Sequence, residues 1–189
     1  FLHWEAEFAD IFAFRGGFDL VLGNPPWIKV EWTEGDVLGD SSPLFVFRNY
    51  SATQMARLRE ELLQDESLRK RYFGAYEEAA GQQNFLNAQC NYPELVGLKS
   101  NLYKCFLPVA WRIGSERGFS AFLHPEGIYD DPNGGALRGE IYSRLLYHLQ
   151  FQNAFMLFPI AHRSRFSINI YGFRKENVSF FHLANLYEA

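Results

Sequence analysis

The stretch Phe18-Asp19-Leu20-Val21-Leu22-Gly23-Asn24-Pro25-Pro26-Trp27 decides how this chain is read. Its first six residues form a short apolar run broken by a single Asp, the pattern of a strand buried on both faces of a parallel sheet. Two prolines then end it. Proline fixes φ and has no N–H, and a residue before proline is pushed to extended conformations. Asn24 and Pro25 are therefore both confined, and the directions of their carbonyls are set. Ligands in open α/β sheets sit beyond the carboxyl ends of strands, which is where this elbow falls.

Few chemistries need a rigid, carbonyl-presenting turn in that place. The exocyclic amine of adenine is a poor nucleophile, because its lone pair is delocalised into the ring. A site can help by accepting both of its N–H hydrogens. Asn24 offers a side-chain carbonyl and Pro25 a main-chain carbonyl. Two acceptors held about 3 Å from the nitrogen would draw it toward tetrahedral geometry as a methyl group arrives. Trp27 adds a flat face on which a base turned out of its duplex could stack, a contact of about 1–3 kcal/mol.

Working outward, residues 28–44 are rich in Gly, Asp, Ser and Glu and are expected to form a loop, either a functional lid or an ordinary surface segment. Ala52 to Ala80 places Met55, Leu58, Leu62, Leu63, Leu68, Tyr72, Phe73 and Tyr76 at helical spacings. Two amphipathic helices broken near Asp65 to Ser67 are predicted. The basic run Arg69-Lys70-Arg71 reads as a solvated helix face, given Glu60, Glu61, Asp65 and Glu66 beside it. Gly81 to Gly97 is expected to be irregular. Asn101 to Glu116 is a predicted helix with Ser100 placed to cap it, followed by a strand at Phe119 to Leu123 and the turn His124-Pro125-Glu126-Gly127. A further helix is expected at Leu137 to Leu149. Strands are expected at Phe151 to Phe158 and Phe166 to Phe173, joined by a loop holding His162, Arg163, Ser164 and Arg165, with an edge strand at Val178 to Leu183. That order predicts an α/β sheet, parallel in its first part, whose end folds back as a hairpin.

Composition bounds the partners. The chain has 189 residues, 48% of them hydrophobic and 17% aromatic, enough to bury one sizeable core. A net charge of -4 argues against a nucleic-acid grip made by this chain alone, since phosphate contacts need clustered Lys and Arg. Cys90 and Cys105 have no metal or redox spacing, so a reducing cytoplasm is expected. The start at Phe1 has no Met and no leader pattern, and the chain is read as soluble and as beginning in mid-protein. His3, His148 and His182 show no metal spacing. No Ser-His-Asp order, Cys-His couple or carboxylate pair supports hydrolysis.

Phe18 to Trp27 resembles motif IV of the class I, S-adenosylmethionine-dependent amino-methyltransferases. His3-Trp4-Glu5 with Glu7-Phe8 and the run from Gly16 to Trp27 resembles, more narrowly, the large type IIG-like adenine-N6 DNA methyltransferases of restriction-modification and phage-defence systems. Ser100-Asn101-Leu102-Tyr103 with Phe106, and the strand from Gly118 to Pro125, resemble that family's next helix and strand. The resemblance is specific over Phe18 to Trp27 and looser over Phe1 to Leu149. From Phe151 onward it rests mainly on the expected terminal hairpin.

The resemblance implies an α/β fold: the C-terminal part of a Rossmann-like class I methyltransferase sheet with a terminal antiparallel hairpin. Residues 1–189 would be a partial catalytic domain, with 28–98 as an inserted loop and helices. Asn24, Pro25, Pro26 and Trp27 would be catalytic, with Trp27 also binding substrate and Pro26 shaping the turn. S-adenosylmethionine is the implied cofactor, and no metal. DNA and the remainder of the methyltransferase chain are the implied partners, with no membrane. The cofactor's glycine-rich turn would follow an earlier strand, and the chain has no G-x-G; Arg15-Gly16-Gly17 precedes its strand and reads as a turn. The cofactor-binding half and a target-recognition domain are thus expected to lie outside these residues, which alone would be inactive. Relatives with Asn at position 24 also methylate protein glutamine or guanine in RNA, and a non-catalytic module of a defence complex is the rival of another class.

Overall fold

The structure is a computed structural model that describes residues 2–43, 45 and 50–187. It divides into two compact units, residues 1–29 with 87–189, and residues 30–86.

The first unit is built on a five-stranded mixed sheet in the order β1-β2-β4-β3-β5. Two short helices, α1 (Trp4–Glu7) and α2 (Ala9–Arg15), lead into β1 (Phe18–Gly23). His3 caps α1 by accepting from the Ala6 N–H, and Gly16 ends α2 in the left-handed region, φ 71°. The rings of Trp4, Phe8 and Phe12 meet Phe18 edge to face, fixing these helices to the first residue of the strand.

β1 pairs in parallel with β2 (Gly114–Pro125), which pairs antiparallel with β4 (Arg165–Tyr171). On the far side of β4 lies β3 (Leu145–Gln152), also antiparallel, and β5 (Phe181–Leu186) adds the outer edge parallel to β3. Before β2 runs α6 (Leu102–Ile113), and after it come α7 (Gly127–Asp130) and α8 (Gly135–Arg144).

The register sorts the side chains into two faces of opposite character. On one face Ser120, Phe122 and His124 of β2 stand opposite Tyr171, Asn169 and Ser167 of β4, with His148 and Gln150 of β3 alongside. Helices cover this face: Tyr103 stacks on His124 at 5.3 Å, Trp111 meets Tyr171 at 5.9 Å, and Tyr129 meets His148 at 4.7 Å. On the other face Leu20, Leu22, Phe119, Tyr147, Phe181 and Leu183 remain exposed, Leu22 at 75%.

This corrects the expectation that β1 is buried on both faces. β1 is an edge strand paired on one side only, and its leucines project onto the uncovered face.

The second unit is helical: α3 (Glu34–Ser41), α4 (Ala52–Leu62) and most of α5 (Glu66–Asn87). Leu38, Phe45 and Leu68 form its core, with Met55, Leu58, Leu62 and Tyr72 packed against them. Glu34 accepts from the Tyr72 hydroxyl at 2.7 Å and pairs with Arg59 at 2.5 Å. Ser51 and Gln54 form a capping box on α4, and the break before α5 falls at Leu63 to Asp65.

Several expected boundaries are corrected. Residues 28–44 hold α3 rather than only a loop, and Leu44 lies outside the described residues. Gly81 to Asn87 continues α5, and within the stretch expected to be irregular Pro93–Leu95 forms a 3₁₀ turn. Asn101, not Ser100, occupies the cap position of α6, while the Ser100 hydroxyl accepts from the Asn87 amide. The strand expected at 119–123 extends over Gly114–Pro125. The helix expected at 137–149 ends at Arg144, so the strand expected at 151–158 lies earlier, at 145–152. Leu145 and Leu149 carry helical spacing, yet β4 and β5 on either side supply backbone partners that a helix would refuse. The strands expected at 166–173 and 178–183 lie at 165–171 and 181–186.

Candidate functional site

Asn24 stands exposed directly beyond the last residue of β1, followed by buried Pro25, exposed Pro26 and half-buried Trp27. Three contacts hold this turn. The indole N–H of Trp27 donates to the Leu123 carbonyl at 3.3 Å, near the end of β2. The Ile28 carbonyl accepts from the Leu102 N–H at 2.9 Å, and Lys29 forms an isolated antiparallel bridge with Asn101. The elbow is thus clamped to the end of β2 and to the start of α6, so its stiffness comes from the sheet as well as from its prolines.

An aromatic group supports the indole. Trp27 lies 4.7 Å from Phe158 and 6.2 Å from Phe166, and Phe166 stacks on Phe151 at 5.5 Å. Phe158 belongs to the loop between β3 and β4. That loop is organised by Asn153, which is fully buried: its amide donates to the Phe158 and Ile160 carbonyls at 3.0 and 2.9 Å, and its side-chain carbonyl accepts from the Phe158 N–H at 3.1 Å. Sequence reasoning missed Phe158 and Asn153. The available signal was the turn-favouring residue types Asn153, inside the expected strand, and Pro159, directly after it.

His124 and Glu126, expected in the turn after the strand, lie inside the helix-covered core, 0% and 6% exposed. Asn169 donates from its amide to His124 Nε2 at 3.0 Å, so the other ring nitrogen carries the proton and donates to the Pro125 carbonyl at 2.9 Å. The Tyr171 hydroxyl lies 3.0 Å from the same nitrogen as the Asn169 amide. Burial pushes the His124 imidazole down to about 4, which leaves it neutral at pH 7. Burial would raise the Glu126 carboxyl, but hydrogen bonds from His148, Ser167 and Gln150 outweigh it and hold the group at about 2. His148 and Gln150 approach its two oxygens at 3.0 and 2.6 Å. These residues are a satisfied polar core beneath the site. His162 and Arg163 are exposed in the β3–β4 loop, and Arg165 is exposed at the start of β4.

Residues 1–56 match the family model of the Eco57I restriction-modification methylase. The match takes in α1, α2, all of β1 and the turn from Asn24 to Trp27, and it supports a methyltransferase of the restriction-modification type for this chain. A search among curated proteins finds no match.

A methylase of this kind raises the question of a glycine-rich turn that would seat S-adenosylmethionine. The turn that follows β1 has no glycine. Gly17, at φ 146°, presses on the backbone of Ile113 and Gly114, where an added Cβ would come within 2.6 Å, while Gly16, with open space around it, is the left-handed cap of α2. Gly134 caps α8 and Gly135 is its first residue, but neither directly follows a strand. Among the described residues there is also no group of three or more His, Cys, Asp or Glu side chains suited to a metal, and no helix long and apolar enough to cross a membrane.

Proposed function

We propose that this chain carries the acceptor side of a site-specific DNA adenine-N6 methyltransferase, resembling the type IIG-like enzymes of restriction-modification or phage-defence systems, with S-adenosylmethionine as the methyl donor. The observation that carries the reading is the exposed Asn24 amide at the end of β1, followed by a buried Pro25 and by a Trp27 anchored to the Leu123 carbonyl. The family match over residues 1–56 covers the same stretch and favours DNA over protein glutamine or RNA guanine.

In this reading the Asn24 side-chain carbonyl and the Pro25 main-chain carbonyl accept the two hydrogens of the adenine amine. Their partial negative charge favours the positive charge that develops on the nitrogen, and because both are fixed in advance the site does not reorganise during the reaction. Trp27, held by its N–H and backed by Phe158, offers its remaining face to the extruded base. Pro26 keeps the turn extended between them. The fold reading is the C-terminal part of a Rossmann-like class I sheet with its antiparallel hairpin. Its support is the parallel β1–β2 pair, the helix α6 before β2, and the antiparallel β4 set between β2 and β3.

The test is methyl incorporation into DNA by the full-length protein with radiolabelled S-adenosylmethionine. Asn24→Ala is expected to lower the rate by about 100-fold or more, the size of effect seen when one preorganised polar group is removed. Full activity in that variant would overturn the role of the amide. Methylated protein or RNA with DNA untouched would move the assignment to the glutamine or guanine relatives.

A further inference from the structure

The β3–β4 loop carries three consecutive apolar side chains into solvent: Phe155, Met156 and Leu157, exposed at 61%, 60% and 63%. Together they form the exposed apolar point of a loop whose polar residues are confined to its two ends, Asn153 and His162 to Ser164. The point is stiff. Asn153 holds the backbone on the far side through its three hydrogen bonds, the Met156 N–H donates to the Asn153 carbonyl at 3.0 Å, and the Asn153 N–H donates to the Ser164 carbonyl at 3.0 Å to close the base of the loop. Met156 sits at φ 53°, a conformation that non-glycine residues adopt at a cost and that this loop imposes. The next ring after the point, Phe158, is the one that touches Trp27. The position of the point is therefore tied to the candidate catalytic turn.

The returning limb carries exposed His162 and Arg163, with Arg165 beyond them. An apolar point with cations beside it is a composition with which proteins part a base step: the apolar group enters between bases and the cations hold neighbouring phosphate.

We infer that Phe155, Met156 and Leu157 form a wedge that enters the DNA duplex beside the target base and stabilises its extrusion toward Trp27. The inference rests on the DNA-methylating reading above. The occupant is a base stack rather than another protein because the point is small and held by hydrogen bonds, because its returning limb carries the exposed cation Arg163, and because its anchor is the support of the proposed base-stacking ring. Arg163 neutralises phosphate and contributes affinity that does not depend on sequence, while Arg165 is paired with Asp130 at 3.7 Å.

The test uses the full-length protein. Methylation of plasmid DNA maps the target, and a duplex is then made with 2-aminopurine, a base that brightens on leaving the stack, in place of the target adenine. The double variant Phe155→Ser, Leu157→Ser changes only exposed side chains and is expected to fold as the parent does. It should reduce the fluorescence rise and the rate on matched duplex by about tenfold, because the duplex must now open unaided. A target already unpaired by a mismatch costs less to extrude, so activity there should return to within about threefold of the parent. Arg163→Gln should instead weaken binding on all duplexes and lower its salt dependence.

An unchanged fluorescence rise in the double variant would overturn the wedge while leaving the methyltransferase reading intact. Equal loss on matched and mismatched DNA would also overturn it and mark the point as a protein contact. No methylated DNA from the parent protein would overturn both.

Discussion

Trp27 and Leu123 join the ends of two adjacent strands through one hydrogen bond, indole N–H to main-chain carbonyl, at 3.3 Å. The bond fixes the ring without using its faces. Trp27→Phe keeps a stacking face and loses the bond, and should lower kcat/KM for DNA by no more than about tenfold, the equivalent of one hydrogen bond. Trp27→Ala removes both and should cost about 100-fold, in line with the loss of a base-stacking partner as well. Equal effects in steady-state kinetics would mean that the ring serves only to hold the turn.

Gly17 and Gly118 lie where β1 and β2 begin their close approach. A Cβ at Gly17 would meet the Ile113 carbonyl oxygen at 2.6 Å, and one at Gly118 would meet the Phe18 carbonyl oxygen at 2.5 Å. Both obstacles are backbone and cannot swing aside. Gly17 is also strained for any L side chain. Gly17→Ala and Gly118→Ala should each destabilise the protein by about 2 kcal/mol or more in urea titration. Gly81→Ala, in a helix with open space around the position, should be neutral or stabilising by up to about 1 kcal/mol.

The buried pair His124 and Glu126 predicts how stability falls in acid. His124 is held near 4 against an ordinary 6.5, so an unfolded chain takes up a proton below pH 6.5 that the folded one refuses. Its contribution is complete above 6.5 and is lost as the pH falls toward 4. Glu126 is held near 2 against an ordinary 4.5, so its contribution is complete above 4.5 and is lost toward 2. Thermal midpoints should therefore decline from about pH 6.5 downward. Glu126→Gln should lower the midpoint at pH 7 and flatten the profile below pH 4.5. An unchanged slope there would show that Glu126 is not held ionised.

Asn153 makes three hydrogen bonds from a fully buried position. Asn153→Ala leaves two carbonyls and one N–H of the loop without those partners, and should cost about 1–3 kcal/mol in stability. Because Phe158 is the residue released, the loss should also appear as faster proteolysis between β3 and β4. Protection equal to that of the parent would contradict the role given to this side chain.

The parts legible in the sequence are those set by local chemistry. Pro25 and Pro26 end β1 wherever the chain folds, and the break between α4 and α5 follows from Asp65, whose carboxylate accepts from the Ser67 hydroxyl and the Leu68 N–H. What long-range pairing decides was not legible. Leu145 to Leu149 looks helical in isolation and becomes a strand because β4 and β5 flank it. The leucines of β1 look like core and are exposed, because an apolar run records preference and not what packs against it. At the site, Asn24 to Trp27 could be singled out from four residues, while Phe158 and Asn153, more than 120 positions away, needed the folded loop to bring them there.

The apolar face of the sheet has a thermodynamic consequence. Leu20, Leu22, Phe119, Tyr147, Phe181 and Leu183 are already substantially hydrated in the folded state, so unfolding adds less new contact between hydrocarbon and water than the chain length implies. The heat-capacity increment and the denaturant m-value both scale with that added contact. This chain should therefore show a broad, shallow stability curve, with a heat-capacity increment below the usual ~12–15 cal/mol/K per residue.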